Sequence, residues 1–497
     1  MSNLASAPLL CSLTTALITL LLLNTGQLQR SIHYIGAVLY LSVTIYLNWK
    51  VQQHGILFLD LGGYPAGFAI SFTIDYFSSL MLLITALTTF AVSIYCSSDS
   101  SIAVKQAFYP TFWFMITGIT GAFSTSDLFN LYVWFEVMII ASFVLMTLTR
   151  EKNSLQGALH YIALNLLATL IMLLAIGILY GLSGTLNIAQ LAIWSHSLTT
   201  MKFFLPPFAA LMIAFAVKSA LFPYYFWLPA SYHLTSVSAG GIFAGLLTKV
   251  GVYTLIRFTT LFLPPHSPLM PILLVLSCLT MLGGVFGAVS DYHLRRILSF
   301  HIISQVGYMT LGLAMGTALA LTAALFYIIH HIIVKTNLFL IAGLLTRYST
   351  HVDLRQMGGF FQQKPMLVIL FFIPAFSLAG LPPFSGFWAK YLLLQAAFTS
   401  GFWLSALIAL LVGFFTLFSM IKIWRFAILQ PTTNQMSPIN YHDCLYLYSP
   451  IIFLGTLTLL IGFYPQILYG AVEQAAQALL NPHCYLQALS GEAICQP

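Results

Sequence analysis

Four lysines and one glutamate stand inside long apolar segments, where charged groups are expensive to bury. They are Lys218, Lys249, Lys335, Lys390 and Glu136. A charge at the centre of a bilayer costs at least ~2.5–3.5 kcal/mol, so such residues face a polar or hydrated interior when they are retained. Desolvation makes an amine able to release its proton, whereas a guanidinium stays protonated. The five residues therefore predict a buried relay for protons.

Other polar residues accompany these lysines at helical spacing. His331 and Lys335 are four positions apart and share one helix face, while His330 points elsewhere. His301, Ser304 and Gln305 form a polar stripe in the preceding segment. Two alternatives remain open: lysines near helix ends can extend to the membrane surface, and a single buried histidine can serve packing alone. A histidine one turn from a buried lysine favours proton transfer.

Two of the lysines lie beside breaks in predicted helices. In AVKSALFPYYFWLP (216–229), Lys218 precedes Pro223; in SLAGLPPFSGFWAK (377–390), Lys390 follows Pro382 and Pro383. Proline interrupts a helix because it lacks an N–H donor. The orders lysine-then-break and break-then-lysine are mirror images, as in inverted repeats that place paired broken helices at an ion site. We interpret each break as half of an ion-transfer site.

The composition predicts what positions these residues. Of 497 residues, 60% are hydrophobic and 6% are charged, far fewer charges than a soluble domain carries. The chain is predicted to be an all-α integral membrane protein of about fourteen transmembrane helices. The first apolar run is interpreted as a retained helix. The predicted windows are 4–24, 30–49, 70–96, 107–125, 128–149, 158–181, 203–228, 236–260, 268–290, 297–317, 320–346, 365–398, 401–427 and 447–468, with an amphipathic segment near 470–480.

The basic residues give this arrangement an orientation. Loops after odd-numbered helices are assigned eleven of them: Arg30, Lys105, Arg150, Lys152, Arg295, Arg296, Arg347, Arg355, Lys364, Lys422 and Arg425. Loops after even-numbered helices are assigned Lys50, Lys202 and Arg257. Because basic loops favour the cytoplasm, both termini are predicted to lie on the outer side.

Several classes of function are disfavoured. The six cysteines show no spacing typical of a metal or iron–sulfur site, and no phosphate-binding glycine loop follows a strand. No cofactor and no nucleic-acid partner are expected. Whether Cys484 and Cys495 form a disulfide stays open.

The sequence resembles the antiporter-like subunits shared by Mrp-type cation/proton antiporters, respiratory complex I and membrane-bound hydrogenases. Within that superfamily it is most similar to the D-subunit family of Mrp antiporters. The resemblance covers almost the whole chain. The segments that carry it are 127–146, 179–192, 216–229, 243–257 (FAGLLTKVGVYTLIR), 295–309, 330–343 (HHIIVKTNLFLIAG) and 376–390.

The resemblance implies two inverted five-helix repeats in which helices 7 and 12 are broken. The corresponding divisions are 1–106, 107–260 (helices 4–8), 261–427 (helices 9–13) and 428–497. Residue by residue, the resemblance implies a fifth-helix glutamate, seventh-, eighth- and twelfth-helix lysines and a polar eleventh-helix pair. In that order, the matching residues are Glu136, Lys218, Lys249, Lys390 and the pair His331 and Lys335.

One departure stands in the segment LPASYHLTSVSAGG (228–241). Ala230 occupies a position at which the family usually has an aspartate, and the prolines that usually follow are missing. Either His233 takes over a polar contact there, or a connection to the cytoplasmic side is altered.

The resemblance implies a proton-translocating membrane subunit of a multisubunit monovalent cation (Na⁺)/proton antiporter, a secondary transporter subunit and not an enzyme. Its expected partners are other membrane subunits of a hetero-oligomeric complex, the lipid bilayer, protons and Na⁺ or another monovalent cation. Its expected location is the bacterial inner membrane. The alternatives are a proton-pumping subunit of a complex I-type oxidoreductase or membrane-bound hydrogenase, and a structural subunit without transport. No carboxylate cluster marks where the cation passes.

Overall fold

The computed structural model describes residues 2–63, 70–102, 104–149, 151–195, 201–264, 267–431 and 436–490, and it is predominantly helical. The first half of the chain contains α1 (Ala7–Leu21), α2 (Gly26–His54), α3 (Tyr76–Cys96), α4 (Lys105–Ser124), α5 (Leu128–Thr147), α6 (Lys152–Ser183), α7 (Ile188–Ser195), α8 (Met201–Lys218), α9 (Trp227–Ser231), α10 (Val237–Ile242) and α11 (Thr248–Phe262). The second half contains α12 (Leu269–Ser290), α13 (Leu294–Ala314), α14 (Ala318–Ser349), α15 (Phe360–Gln363), α16 (Pro365–Ala379), α17 (Ser385–Thr399), α18 (Trp403–Ile423), α19 (Tyr441–Phe463), α20 (Pro465–Leu480) and α21 (His483–Ser490).

Helix is present in every window that the sequence predicted, and the amphipathic segment near 470–480 lies in α20. Within the described ranges, eleven helices are long and apolar enough to cross a membrane. The chain is therefore a helical membrane protein with many apolar spans. The number of crossings, which we expected to be about fourteen, stays a prediction.

A short antiparallel hairpin interrupts the helical pattern. Strand β1 (Leu57–Asp60) pairs with β2 (Ser71–Ile74), with Leu57 opposite Ile74 and Asp60 opposite Ser71. Residues 70–75 were predicted to lie in the third helix, which is wrong, because strand β2 occupies most of that range. That helix starts at Tyr76 because Asp75 caps it, accepting a hydrogen bond of 2.8 Å from the Ser78 N–H.

Helix α14 forms the centre of the protein. It runs for 32 residues, and the whole of its most apolar window is buried. It contacts α13, α17, α19 and α20. By contrast, α1, α6, α12 and α18 are buried over less than half of their apolar windows. They expose large side chains such as Leu174 and Leu407, as expected of helices that face lipid or another subunit.

Two basic residues assigned to loops are buried inside helices instead. Arg257 lies in α11 and forms an ion pair of 2.6 Å with Asp75. Lys422 lies in α18, where its Nζ donates to the carbonyls of Val289 (2.7 Å) and Asp291 (2.6 Å) at the end of α12. Both charges have polar partners on distant parts of the chain, so they need not reach water. Without Arg257 and Lys422, the loops after odd-numbered helices still contain most of the basic loop residues.

Candidate functional site

Both predicted helix breaks are present in the structure. Helix α8 ends at Lys218, and helical structure resumes at Tyr224; the break therefore begins at the lysine, five residues before Pro223. Helix α16 ends at Ala379, Gly380 adopts a left-handed conformation (φ 91°), and α17 begins at Ser385. A helix that ends inside the protein leaves carbonyl groups without intrahelical partners. Each break thus presents carbonyl oxygens next to a lysine.

Lys218 and Glu136 lie on α8 and α5, which meet through the stacked rings of Phe135 and Phe215. The Lys218 Nζ is buried 4.5 Å from the centre of the Phe135 ring, a cation–π contact that suits a desolvated ammonium. Lys218 and Glu136 interact electrostatically, yet no ion pair within 4.0 Å joins them. The Lys218 Nζ and the Glu136 Oε1 have no hydrogen-bond partner among the described residues.

Lys249 lies in a continuous helical segment that widens just before it. Residues Phe243–Leu247 form a π-helical turn between α10 and α11, a distortion that often marks functional sites. The Lys249 Nζ is fully buried and donates to the Ala244 carbonyl of that turn at 2.6 Å. Two positions further on, Gly251 packs directly against the α8 break. A Cβ there would lie 2.8 Å from the Ser219 nitrogen.

His331 and Lys335 lie near the middle of α14 and, as predicted, on one face of it. Lys335 is fully buried, and its Nζ donates to the Leu298 carbonyl of α13 at 3.1 Å. Neither ring nitrogen of the buried His331 has a protein partner within the described ranges. His331 interacts electrostatically with both Lys249 and Lys335. The eighth and eleventh predicted helices therefore bring three titratable side chains together.

The polar stripe on α13 connects this group to α18. His301 is fully buried, and its Nε2 lies 2.9 Å from the Ser419 hydroxyl. Lys422 follows Ser419 by three residues, on the same side of α18. Lys422 was counted among the loop residues in the sequence and so was not among the predicted site residues, although it lies in the last turn of α18. The signal that could have found it is the same one that marked the other lysines: an amine within an apolar run.

Aromatic and amide groups link the stripe to Lys390. The Tyr327 hydroxyl donates to the Gln305 Oε1, and the ring of Tyr327 stacks on that of Tyr308 at 5.2 Å. The Lys390 Nζ lies 5.4 Å from the centre of the Tyr308 ring. These contacts join α13, α14 and α17 through one hydrogen bond, one ring stack and one cation–π contact.

The second break holds Lys390 in place. Its Nζ, which is buried, donates at 2.8 Å to the Ala379 carbonyl at the end of α16. A Cβ on Gly380 would lie 2.6 Å from the Lys390 Cδ, so glycine is required both for the backbone conformation and for the space. His330 faces this break, with its Nδ1 2.8 Å from the Ser385 hydroxyl.

The connection that contains Ala230 holds a histidine pair. The rings of His233 and His293 lie 5.0 Å apart in an edge-to-face arrangement. Burial, followed by the neighbouring His293, lowers the pKa of His233 to about 4. The pKa of His293 is also lowered, chiefly by burial. His233 thus has His293 as a titratable neighbour, and whether it takes over a polar contact in place of the usual aspartate stays a prediction.

The described cysteines and possible metal ligands can be stated briefly. Within the described residues, no group of three His, Cys, Asp or Glu side chains could hold a metal ion. Cys11, Cys96, Cys278 and Cys444 are free thiols. The Cys484 side chain and Cys495 lie outside what the structure describes, as does Arg150.

The chain is similar to known membrane proteins along its whole length. The family described as "NADH:quinone oxidoreductase/Mrp antiporter, TM" matches residues 125–416. A protein named as the D subunit of a Na⁺/H⁺ antiporter, from Alkalihalophilus pseudofirmus, is 40% identical over 99% of this chain and 100% of its own length. The protein of the same name from Bacillus subtilis is 33% identical with the same coverage.

A solved structure supports the same relationship. A chain of the Mrp complex from a Dietzia species is 30% identical, with a TM-score of 0.92 over 99% of this chain and 100% of that one. The family model spans more than half of the sequence. The two antiporter relatives align with nearly the whole of this chain. The chain belongs to the NADH:quinone oxidoreductase/Mrp antiporter family of membrane subunits, on the branch of the antiporter D subunits.

Proposed function

We propose that this chain translocates protons along Glu136, Lys218, Lys249, His331, Lys335 and Lys390 as a subunit of a cation/proton antiporter. The chain is a transporter subunit of a multisubunit complex and has other membrane subunits as partners. The observation that carries the relay is how its buried amines are bonded. Lys249, Lys335 and Lys390 each donate to a backbone carbonyl, and within the described part of the chain none of them forms an ion pair.

A carbonyl partner suits a group that must gain and lose a proton. Both an ammonium and a neutral amine carry an N–H that a carbonyl can accept. The lysine therefore keeps its position in either protonation state. A carboxylate partner would instead hold the ammonium form, because removing the proton would leave a buried negative charge without compensation. Helix-end carbonyls such as that of Ala379 add the negative end of the helix dipole.

His331 is the proposed connection between the two halves of the relay. A neutral imidazole donates through one nitrogen and accepts through the other, so it can pass a proton between the amines of Lys249 and Lys335. Buried polar atoms usually have a partner. The ring nitrogens of His331 therefore support hydrated positions in this part of the protein, where single waters bridge to the lysines.

The charge on one residue of the proposed relay changes how readily its neighbours release a proton. Lys249 and Lys335 interact electrostatically, and like charges in a low-dielectric interior repel far more strongly than in water. A proton that arrives on one amine therefore promotes release from the next. At the other end, Glu136 favours the charged form of Lys218 and sets the entry step.

We also propose the architecture that the resemblance implies. It consists of fourteen crossings, with inverted five-helix repeats at 107–260 and 261–427 between flanking segments 1–106 and 428–497. The mirrored order of lysine and break in α8 and in α16–α17 supports it. The distribution of basic loop residues supports a bacterial inner-membrane orientation with both termini outside.

The cation is proposed to be Na⁺, after the names of the relatives, and its path is proposed to lie with a partner subunit. Sequence identities of 40%, 33% and 30% to antiporter proteins support this function over a redox-driven pump. The retained set of lysines argues against a purely structural subunit.

The test uses membrane vesicles that contain the assembled complex. We expect Lys218→Ala and Glu136→Ala each to abolish Na⁺-dependent proton movement, measured with a pH-sensitive dye. Lys50→Ala is the matched control, because Lys50 lies outside the proposed relay, over the ring of Trp49 (4.8 Å). Wild-type antiport in an assembled Lys218→Ala or Glu136→Ala complex would refute the relay.

A further inference from the structure

A polar cavity of about 590 Å³ lies apart from the relay, where α2 and α4 begin. Its lining includes Gly26, Gln27, Gln29, Arg30, Lys105 and Gln106. No carboxylate is among the described residues that line it. The basic-loop orientation proposed above places this cavity at the cytoplasmic surface of the membrane.

Two helix N-termini open into this cavity. Thr25 precedes α2 and Val104 precedes α4, and neither residue provides a side-chain cap. The first residues of both helices line the cavity. Backbone N–H groups in a first turn have no intrahelical partner, and the helix dipole makes that end positive. Together they favour a bound anion.

Two cationic side chains add to this field. The Arg30 guanidinium is half-buried beside the rings of Tyr34 and Tyr446 (5.8 and 5.7 Å). The Lys105 Nζ donates to the Ser97 carbonyl at 2.9 Å. Neither belongs to an ion pair in the part of the chain that the structure describes. Asp443, which interacts electrostatically with Lys105, is paired with Arg347 at 2.9 Å. The cavity therefore retains positive charge.

Gln29 adds a hydrogen-bonding requirement to the positive charge of the cavity. It is fully buried, and its Nε2 donates at 2.8 Å to both the Thr19 and the Gln106 carbonyls. These two bonds fix the amide, so its Oε1 is the atom left to bind a ligand. That Oε1 is buried and has no donor among the described residues. A buried acceptor is costly to leave unpaired. A ligand that fits must present a hydrogen-bond donor beside its negative charge.

We propose that this cavity binds the headgroup of a phospholipid whose phosphodiester carries a hydroxyl or amine donor, such as phosphatidylglycerol or phosphatidylethanolamine. The phosphate lies against the two helix N-termini, Arg30 and Lys105, and the headgroup donor bonds to the Gln29 Oε1. Leu28, which lies between two of the lining residues in sequence, is 53% exposed, and Leu21 at the end of the preceding helix is 85% exposed. They provide the apolar surface along which the acyl chains extend.

The first experiment compares headgroups on the purified antiporter complex in detergent. Thermal unfolding is followed during titration with phosphatidylglycerol, phosphatidylcholine and inorganic phosphate. We expect saturable stabilisation by phosphatidylglycerol and much less by phosphatidylcholine, whose headgroup lacks a donor. Equal stabilisation by phosphatidylcholine would overturn the role of Gln29. Equal stabilisation by inorganic phosphate would show a free-anion site and overturn the lipid assignment.

The second experiment tests the location with variants, using native mass spectrometry of the same complex. We expect Arg30→Gln with Lys105→Gln to weaken phosphatidylglycerol binding at least about tenfold, because each removes a charge-assisted hydrogen bond. Lys50→Gln, at the opposite end of α2, is the matched control. Unchanged binding in the double variant would refute the site. Loss of a neighbouring subunit in place of lipid would show that a protein occupies the cavity and would overturn the lipid assignment.

Discussion

Gly251 holds the helix of Lys249 against the break that follows Lys218, and Gly251→Ala tests whether that contact matters. In the structure a Cβ at this position would lie 2.8 Å from the Ser219 nitrogen and 3.0 Å from the Lys218 carbonyl carbon. These are backbone atoms, which cannot rotate away. Restoring an ordinary contact of 3.4 Å requires α11 and the end of α8 to separate by about 0.6 Å.

The separation should affect transport more than folding. Overpacking costs ~1–3 kcal/mol, and the higher helix propensity of alanine offsets up to ~1 kcal/mol of it. The bond from Lys249 to the Ala244 carbonyl lies within one helical segment and survives. The distance between Lys218 and Lys249, by contrast, increases when the two segments separate. Because a misplacement of ~1 Å can cost ~100-fold in rate, we expect antiport to fall about tenfold.

The assay is Na⁺-dependent proton flux in vesicles, normalised to the amount of assembled complex. Gly177→Ala is the matched control, because Gly177 is a helical glycine with no atom within 4 Å of its would-be Cβ. We expect that control to transport normally and to be slightly more stable. If an assembled Gly251→Ala complex transports at the wild-type rate, the packed contact between the two lysine segments has no role in proton transfer.

Three further predictions concern other parts of the protein. Lys390→Arg keeps the charge but cannot release the proton, so we expect antiport in vesicles to fall about a hundredfold; a wild-type rate would exclude a titrating role. Asp75→Asn leaves Arg257 buried without its counter-charge and should cost ~3–5 kcal/mol of unfolding free energy in the purified complex. Asp353→Asn, in a more exposed pair, should cost less than ~1 kcal/mol, and equal losses would contradict this reasoning. Burial and the nearby His293 lower the pKa of His233 to about 4 from an unfolded value near 6.5. On acidification the unfolded chain therefore binds the proton first, and stability should fall from pH 6.5 toward pH 4. His233→Gln should show a smaller drop in unfolding midpoint between pH 7 and 5; an unchanged drop would refute the assignment.

The sequence predicted the features whose causes are local. Proline disfavours helix through its own missing N–H, so the breaks near Pro223 and Pro383 could be placed without a structure. The rule is not absolute, because Pro110 and Pro450 lie inside continuous helices. The spacing of His331 and Lys335 likewise fixes their common face. The apolar runs defined where helix would be found. These inferences need only the residues of one segment.

The errors concern charges whose partners are distant in sequence. Arg257 was assigned to a loop, yet it lies in α11 and pairs with Asp75, the residue that precedes α3. Lys422 is held by carbonyls at the end of α12, more than a hundred residues earlier. The start of α3 was misplaced because the apolar strand Ser71–Ile74 pairs with β1 instead of continuing the helix. Tertiary contacts decide each of these cases.

The carbonyl partners of the lysines in the proposed relay could not be predicted either. The sequence shows that Lys249 and Lys390 are buried, but not that a π-helical turn and a helix end supply their acceptors. Such acceptors belong to the backbone and leave no trace in residue type.

Because α14 is completely enclosed, residues at the centre of the protein and residues on its outer surface can change independently. Substitutions of exposed side chains on α1, α6, α12 and α18 change the surface that the protein presents to lipid or to other subunits, while the buried side chains of α14 keep their surroundings. One interior can thus be fitted to different neighbours, as expected for a family whose description names both an oxidoreductase and an antiporter. Under the proposed relay, exchange of the outer surface alone would let the same buried residues work with different sources of energy.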